Sequence, residues 1–138
     1  MTSGFILDCS VAATWIFDEE ASPNTDKLLE RASETGAIVP ALWHWEVANV
    51  LAIGVRRKRI ELSSAVERLA RLGQLPITTD DETPARLRTP TFLLAQAHSL
   101  TVYDAAYLEL AQRTGFELAS KDAALCAAAA ALGVKLAL

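Results

Sequence analysis

The sequence of 138 residues lacks the features that mark several classes of protein. Its two cysteines, Cys9 and Cys126, are too few for a disulfide framework and form no Cys-x-x-Cys pair. The sequence contains no run of about eighteen apolar residues, the length needed to span a bilayer. A secretory signal requires a basic region ahead of an apolar segment, and the N-terminus has none. The six glycines never form the Gly-x-Gly-x-x-Gly dinucleotide motif. These absences predict a reduced, cytoplasmic protein without a membrane partner.

Basic residues are also in deficit. Thirteen Lys and Arg stand against seventeen Asp and Glu, which gives a net charge of -4. Taken alone, this balance argues against a nucleic-acid partner. The sequence is 51% hydrophobic and 22% charged, which is typical of a folded domain rather than a disordered segment. Its length predicts a single domain over residues 1–138.

Short apolar runs alternate with helical patterns along the chain. The predicted strands are Gly4 to Leu7, Ala37 to Val39, Pro76 to Thr79, Phe116 to Ala119 and Val134 to Leu138. The predicted helices are Val11 to Phe17 capped by Ser10, Pro23 to Gly36 capped by Ser22, Leu42 to Lys58, a helix with a Ser64–Glu67 capping box ending near Gly73, a helix from Thr83 interrupted at Pro90, Phe92 to His98, Asp104 to Arg113, and Asp122 to Leu132. This alternation predicts an α/β/α sandwich around a parallel sheet of four to five strands.

Four acidic residues lie where a solvated face is not expected. Asp8 and Asp122 directly follow predicted strands, Asp104 opens a helix, and Glu46 interrupts an apolar helix. Ligands of open parallel sheets bind at the carboxyl ends of the strands, so we expect one pocket to collect all four acids. As an alternative, each of the three aspartates could merely cap the helix beside it.

Four ionised carboxylates in one pocket need compensation. Two charges about 5 Å apart repel by roughly 3 kcal/mol at an effective dielectric constant near 20, which protonation or a divalent cation would relieve. Oxygen ligands favour Mg²⁺ or Mn²⁺ over Zn²⁺, and His44 and His98 do not form a metal-ligand pair. Metal ions held by carboxylates activate water for in-line displacement at phosphorus, so the predicted chemistry is phosphodiester hydrolysis. Apart from the four acids, the remaining acidic and basic residues balance at thirteen each, which permits an RNA partner.

Four segments in order resemble PIN-domain ribonucleases, specifically the VapC-type toxins of bacterial toxin–antitoxin pairs. They are Ile6-Leu-Asp-Cys-Ser-Val-Ala-Ala-Thr-Trp-Ile-Phe17, Pro40-Ala-Leu-Trp-His-Trp-Glu-Val-Ala-Asn-Val-Leu51, Leu100-Thr-Val-Tyr-Asp-Ala-Ala-Tyr-Leu-Glu-Leu-Ala111, and Leu118-Ala-Ser-Lys-Asp122 followed by Ala-Ala-Leu125. The resemblance implies one PIN domain that acts as a Mg²⁺- or Mn²⁺-dependent endoribonuclease on RNA. It also implies a small cognate antitoxin that inserts a segment, often basic, near the acidic site, and a homodimer, which an apolar surface near Trp43 could serve. Ser99 departs from the family, whose members commonly have glycine there.

The resemblance also assigns residues to the site. It implies that Asp8, Glu46, Asp104 and Asp122 hold the metal, and that Ser120 supplies a hydroxyl near the metal or the scissile phosphate. Ser10 and Asn49 are interpreted as groups that orient these carboxylates.

Other interpretations remain open from the residues alone. A receiver-like signalling domain and a haloacid-dehalogenase-type phosphatase are also small Mg²⁺-binding α/β domains, but both need a second acid near Asp8 that the sequence lacks. A binding protein without catalytic activity is a further alternative. The basic run Arg56 to Arg59 is either a favourable helix C-terminus or part of an RNA path. Cys9 is interpreted as a buried inert thiol, and Trp15, Trp43 and Trp45 as core or partner-interface anchors.

Overall fold

The computed structural model describes residues 4–138, which form a parallel sheet flanked by helices. The sheet has the strand order β3-β2-β1-β4. Its strands are β1 (Phe5–Leu7), β2 (Ala37–Pro40), β3 (Ile77–Asp80) and β4 (Leu118–Ala119). Every residue of the central strand β1 is buried, as expected for a parallel strand covered on both faces. The predicted α/β architecture is confirmed, with four strands.

Helices connect consecutive strands and enclose the core. They are α1 (Cys9–Ile16), α2 (Pro23–Thr35), α3 (Leu42–Arg56), α4 (Leu62–Gly73), α5 (Thr83–Arg86), α6 (Phe92–His98), α7 (Val102–Thr114) and α8 (Ala123–Ala131). A 3-10 turn at Asp18–Glu20 and a π-helical turn at Leu87–Thr91 complete the secondary structure of the described residues. Within residues 4–138, no helix combines the length and the apolarity that a membrane span needs.

Helix α7 lies at the centre of the molecule, against β1, β2 and β4. Its residues 105–111 are all buried, and they include the polar side chains of Tyr107 and Glu109. Thr101 caps the helix, because its Oγ1 accepts a hydrogen bond from the backbone N–H of Asp104 at 3.1 Å. The helix thus presents its first turn, with Asp104, at one end of the core.

Two predicted helix starts are wrong. Helix α1 begins at Cys9, so Ser10 lies inside the helix and Asp8 occupies the cap position. Helix α4 begins at Leu62, so Ser64 lies in its first turn and does not cap it. The cap at Ser22 is confirmed, since its Oγ accepts from the N–H of Thr25 at 3.2 Å. The remaining predicted boundaries of strands and helices fall within two residues of the observed ones.

One further prediction needs correction. The segment Val134 to Leu138 makes only an isolated parallel bridge, between Leu136 and Leu118, instead of a fifth strand. Strand β4 is only two residues long, so it offers little edge for another strand to pair with. Pro90 lies in the π-helical turn that separates α5 from α6, so the α-helix is interrupted there as predicted.

Candidate metal centre

Asp8 lies where the strand order of the sheet reverses. The chain leaves β1 for β2 and β3 on one side, and β4 lies on the other side. Strands β1 and β4 pair in parallel with Leu7 opposite Ala119, and the N–H of Asp8 donates to the carbonyl of Ala119 at 3.0 Å. The crevice beyond these two strand ends is the place where open parallel sheets bind ligands.

Two hydroxyl groups fix the buried carboxylate of Asp8. Its Oδ2 accepts a hydrogen bond from Ser10 Oγ at 2.7 Å and one from Ser120 Oγ at 2.8 Å. Each serine is held in turn by the loop after β4, because Ser10 Oγ accepts from the N–H of Lys121 at 2.8 Å and Ser120 Oγ accepts from that of Asp122 at 3.0 Å. Within residues 4–138, nothing donates a hydrogen bond to Oδ1 of Asp8. The predicted contact of Ser10 with a carboxylate is therefore present.

Asp122 combines the two roles that the sequence left open. Its Oδ1 accepts from the N–H of Leu125 at 2.8 Å and so caps α8. Its other oxygen makes no hydrogen bond with a described residue. Asp8 does not cap α1 with its side chain, and Thr101 rather than Asp104 caps α7. The capping interpretation thus accounts for only one oxygen of one aspartate.

Glu46 is half-buried on the second turn of α3, and its partner is Tyr107 on α7. The Tyr107 hydroxyl donates to Oε1 of Glu46 at 2.5 Å. Tyr107 is not among the predicted site residues, although it lies within a segment that carries the family resemblance. A signal was present: a tyrosine in an apolar helical run needs a partner for its hydroxyl, and a glutamate in an apolar helix needs a donor.

The four carboxylates interact electrostatically. Burial raises the pKa of Glu46, and the charges of Asp8 and Asp104 raise it further. The hydrogen bond from Tyr107 lowers this pKa but does not outweigh the other effects. Burial also raises the pKa of Asp104, followed by the charges of Asp122 and Asp8. Burial, with Glu46 and Asp8 nearby, raises the pKa of the Cys9 thiol to about 12, so this thiol stays protonated as predicted. The structure therefore brings all four predicted acids into one group of interacting charges.

The tightest acidic cluster in the described part of the chain lies elsewhere. Oxygen atoms of Asp80, Asp81 and Glu82 lie within 4.8 Å of one another, a spacing that no three of the four acids at the crevice meet. Arg113 occupies this cluster, because its two terminal nitrogens bind the carboxylate of Asp80 at 3.1 and 2.9 Å. The nearly buried Glu109 also binds Arg113, at 2.9 Å. This cluster is an ion-pair network that ties β3 to α7.

Two other predicted contributors lie apart from these contacts. Asn49 is exposed and makes no hydrogen bond with a described residue, so its orienting role stays a prediction without a contact. Arg59 binds Glu19 at 2.6 Å and Glu20 at 3.0 Å, and its guanidinium lies 3.9 Å from the centre of the Phe17 ring. Arg59 is thus engaged within the protein.

The tryptophans of α3 differ in environment. Trp43 is buried in the core and contributes little to the protein surface, whereas Trp45 is 80% exposed. Trp43 lines an apolar groove between α3 and α4 together with Val47, Leu69 and Leu72. The predicted apolar surface near Trp43 is therefore this groove.

Comparisons with known proteins agree with this architecture. The PIN domain family model matches residues 5–131. Ribonuclease VapC3 of Pyrobaculum aerophilum is 31% identical over 117 residues, which are 85% of this chain and 88% of that protein. The crystal structure of PAE2754 from Pyrobaculum aerophilum has the same fold, with a TM-score of 0.69 at 22% identity, over 93% of this chain and 87% of that one. The resemblance found in the sequence is confirmed, and the chain belongs to the PIN domain family as a member of the VapC type.

Proposed function

We propose that this protein is a divalent-metal-dependent endoribonuclease that hydrolyses RNA phosphodiester bonds and acts as the toxin of a toxin–antitoxin pair. The observation that carries the proposal is the group of interacting carboxylates at the strand-order reversal, which consists of Asp8, Glu46, Asp104 and Asp122. The similarity to a protein named ribonuclease VapC3 supports the same activity.

The chemistry of the donor set fits a hard divalent cation. The four acids offer carboxylate oxygens and no sulfur or imidazole ligand. Burial and repulsion raise the pKa of Glu46 and Asp104, and a cation held between the carboxylates would relieve this unfavourable charge. Such oxygen ligands suit Mg²⁺, with Mn²⁺ as the alternative. When bound, the cation supplies an activated water and neutralises charge on the phosphodiester.

The residues of the chain then divide the work. The four carboxylates would hold the cation and thereby act in catalysis. Ser120 and Ser10 keep the Asp8 carboxylate in place, since each donates its hydroxyl proton to Oδ2. Ser120 thus acts on the reaction through Asp8. Its hydroxyl is buried, and its lone pair accepts from the N–H of Asp122.

Part of the basic run Arg56 to Arg59, which begins at the last residue of α3, is available to RNA. Arg56, Arg57 and Lys58 make no ion pair with a described residue, whereas Arg59 is bound to Glu19 and Glu20. Arg56, the last residue of α3, lies about 15 Å beyond Glu46 along the helix axis, which is within the span of a short RNA segment. We therefore assign Arg56, Arg57 and Lys58 to phosphate contacts and leave Arg59 out.

We propose two protein partners. The VapC name of the relative supports a cognate antitoxin, and the acidic site would attract a basic segment of it. A homodimer is proposed through the apolar stripe of α4, which consists of the exposed residues Leu62, Val66 and Leu69. Leu69 also lines the groove beside Trp43, so stripe and groove form one apolar surface.

The deciding experiment is RNA cleavage by the wild type and by Asp8→Asn, each with Mg²⁺ and with EDTA. We expect cleavage only by the wild type with Mg²⁺, and a loss of more than about 100-fold in Asp8→Asn, since even outer partners of metal ligands contribute about 10- to 100-fold. Asp26→Asn is the matched control, because Asp26 is an exposed acid on α2. Equal cleavage in all conditions would contradict the proposal.

A second measurement separates this function from its alternative. Phosphorylation of Asp8 by acetyl phosphate, without RNA cleavage, would favour a signalling or phosphatase-like domain. Co-purification with the product of a short neighbouring gene that encodes a DNA-binding protein is the result expected of a toxin.

A further inference from the structure

Glu46 receives a hydrogen bond from the core of the domain. The Tyr107 hydroxyl donates to Oε1 of Glu46 at 2.5 Å and so joins α7 to α3 across 61 positions of the chain. Tyr107 is fully buried, whereas Glu46 is only half-buried. The contact therefore connects the interior with a carboxylate of the candidate metal centre.

Packing alone does not require the hydroxyl of Tyr107. A phenylalanine would fill nearly the same space, and it would avoid taking a hydroxyl out of water. The hydroxyl makes no second hydrogen bond with residues 4–138. Its contribution therefore lies in its effect on Glu46.

Glu46 has no other anchor in the described part of the chain. Nothing else donates a hydrogen bond to its carboxylate, and the charges of Asp8 and Asp104 oppose its own. A glutamate side chain has several rotatable bonds, so an unanchored carboxylate would move away from these charges toward solvent. By contrast, two hydroxyls hold Asp8, and a backbone N–H holds Asp122.

We propose that Tyr107 is a positioning residue, which holds the Glu46 carboxylate at the centre so that Glu46 can serve as a metal ligand. This inference rests on the proposed function. The hydrogen bond engages Oε1 and leaves Oε2 without a hydrogen bond to any described residue. Partners that orient metal ligands contribute about 10- to 100-fold to metal affinity.

The test is the dissociation constant for Mn²⁺, measured by calorimetric titration of the full chain. We expect Tyr107→Phe to raise this constant about 10- to 100-fold. Tyr103→Phe is the matched control, because Tyr103 is 61% exposed and its hydroxyl makes no hydrogen bond with a described residue. We expect the control to bind Mn²⁺ as the wild type does. Melting curves without metal verify that both variants are folded.

A double-mutant cycle with Glu46→Gln separates positioning from a general structural effect. If Tyr107 acts through the Glu46 carboxylate, Tyr107→Phe causes no further loss of Mn²⁺ affinity in the Glu46→Gln protein. An equal loss in both backgrounds would overturn the inference. So would unchanged affinity in Tyr107→Phe while the wild type binds Mn²⁺. A wild type that binds no Mn²⁺ refutes the proposed function itself, and this inference with it.

Discussion

The Ser120 hydroxyl donates a hydrogen bond of 2.8 Å to Oδ2 of Asp8, although 112 positions separate the two residues in the chain. The contact follows from the register of the sheet. Leu7 pairs with Ala119 on neighbouring parallel strands, so the residues that follow them, Asp8 and Ser120, also lie side by side. The two side chains therefore meet at the carboxyl ends of β1 and β4, in the crevice where open parallel sheets bind ligands.

Removal of this hydroxyl should weaken Mn²⁺ binding at the proposed site more than it destabilises the fold. In Ser120→Ala, Asp8 keeps only the hydrogen bond from Ser10, so we expect the Mn²⁺ dissociation constant to rise about tenfold. The free energy of unfolding should fall by about 1 kcal/mol. Ser120→Thr keeps a hydroxyl and should restore most of the affinity. Calorimetric titration measures the affinity for Mn²⁺, and urea unfolding measures the stability. If Ser120→Thr also lost Mn²⁺ affinity tenfold, the hydroxyl would not be the group responsible.

The ion pair of Asp80 with Arg113 should make stability depend on pH in acid. Burial alone would raise the pKa of Asp80, but the hydrogen bonds from Arg113 and Thr83 outweigh burial and lower the pKa below its ordinary value. The ion pair therefore makes its full contribution to stability above about 3.9, the pKa of an aspartate in the unfolded chain. This contribution is lost as the pH falls through the lower pKa of Asp80 in the folded protein.

The matching variant is Asp80→Asn. At pH 7 we expect it to lower the free energy of unfolding by about 1–3 kcal/mol, and the difference from the wild type should shrink below about pH 4. Urea unfolding between pH 3 and pH 7 measures both, with the exposed neighbour Asp81→Asn as control. A difference that stays constant over this range would show that Asp80 acts by packing rather than by charge.

Ser99 should be replaceable by glycine with a gain in stability. Ser99 ends α6 in the left-handed conformation, with φ of 54°, and its exposed side chain makes no hydrogen bond with a described residue. Because this conformation is unfavourable for residues with a Cβ, we expect Ser99→Gly to raise the free energy of unfolding by roughly 0.5–1 kcal/mol. Ser63→Gly, within α4, should lower it by about 0.5 kcal/mol. Loss of stability in Ser99→Gly would mean that the serine has a role of its own.

The apolar stripe of α4 should determine the oligomeric state. We expect the wild type to sediment as a dimer of the 14.9 kDa chain, and Val66→Asp to sediment as a monomer, because a charge at the interface would be buried without a partner. Ser63→Asp adds the same charge about 100° around the helix from Leu62, and it should leave the dimer intact. A monomeric wild type, or a dimeric Val66→Asp, would exclude this stripe as the interface.

The elements and the acidic residues were predictable because their signals are local. Apolar runs, prolines and caps such as Ser22 are readable within a few residues, and Glu46 stood out as a charge in an apolar helix. Local signals failed where an element's start depends on its neighbour. Asp8 is the only residue between β1 and α1, so the helix begins at Cys9 and includes Ser10. Val134 to Leu138 is apolar enough for a strand, but β4 beside it has only two residues, so the two segments form a single bridge.

Residue types and their order along the chain therefore specify the fold class, the family resemblance and the acids of the candidate site. The folded chain alone reveals which atoms meet. The Tyr107–Glu46 hydrogen bond and the Arg113–Asp80 ion pair each join elements far apart in sequence. Such pairs depend on strand order, register and the rotation of packed helices, and none of these is written in the spacing of residues along one segment.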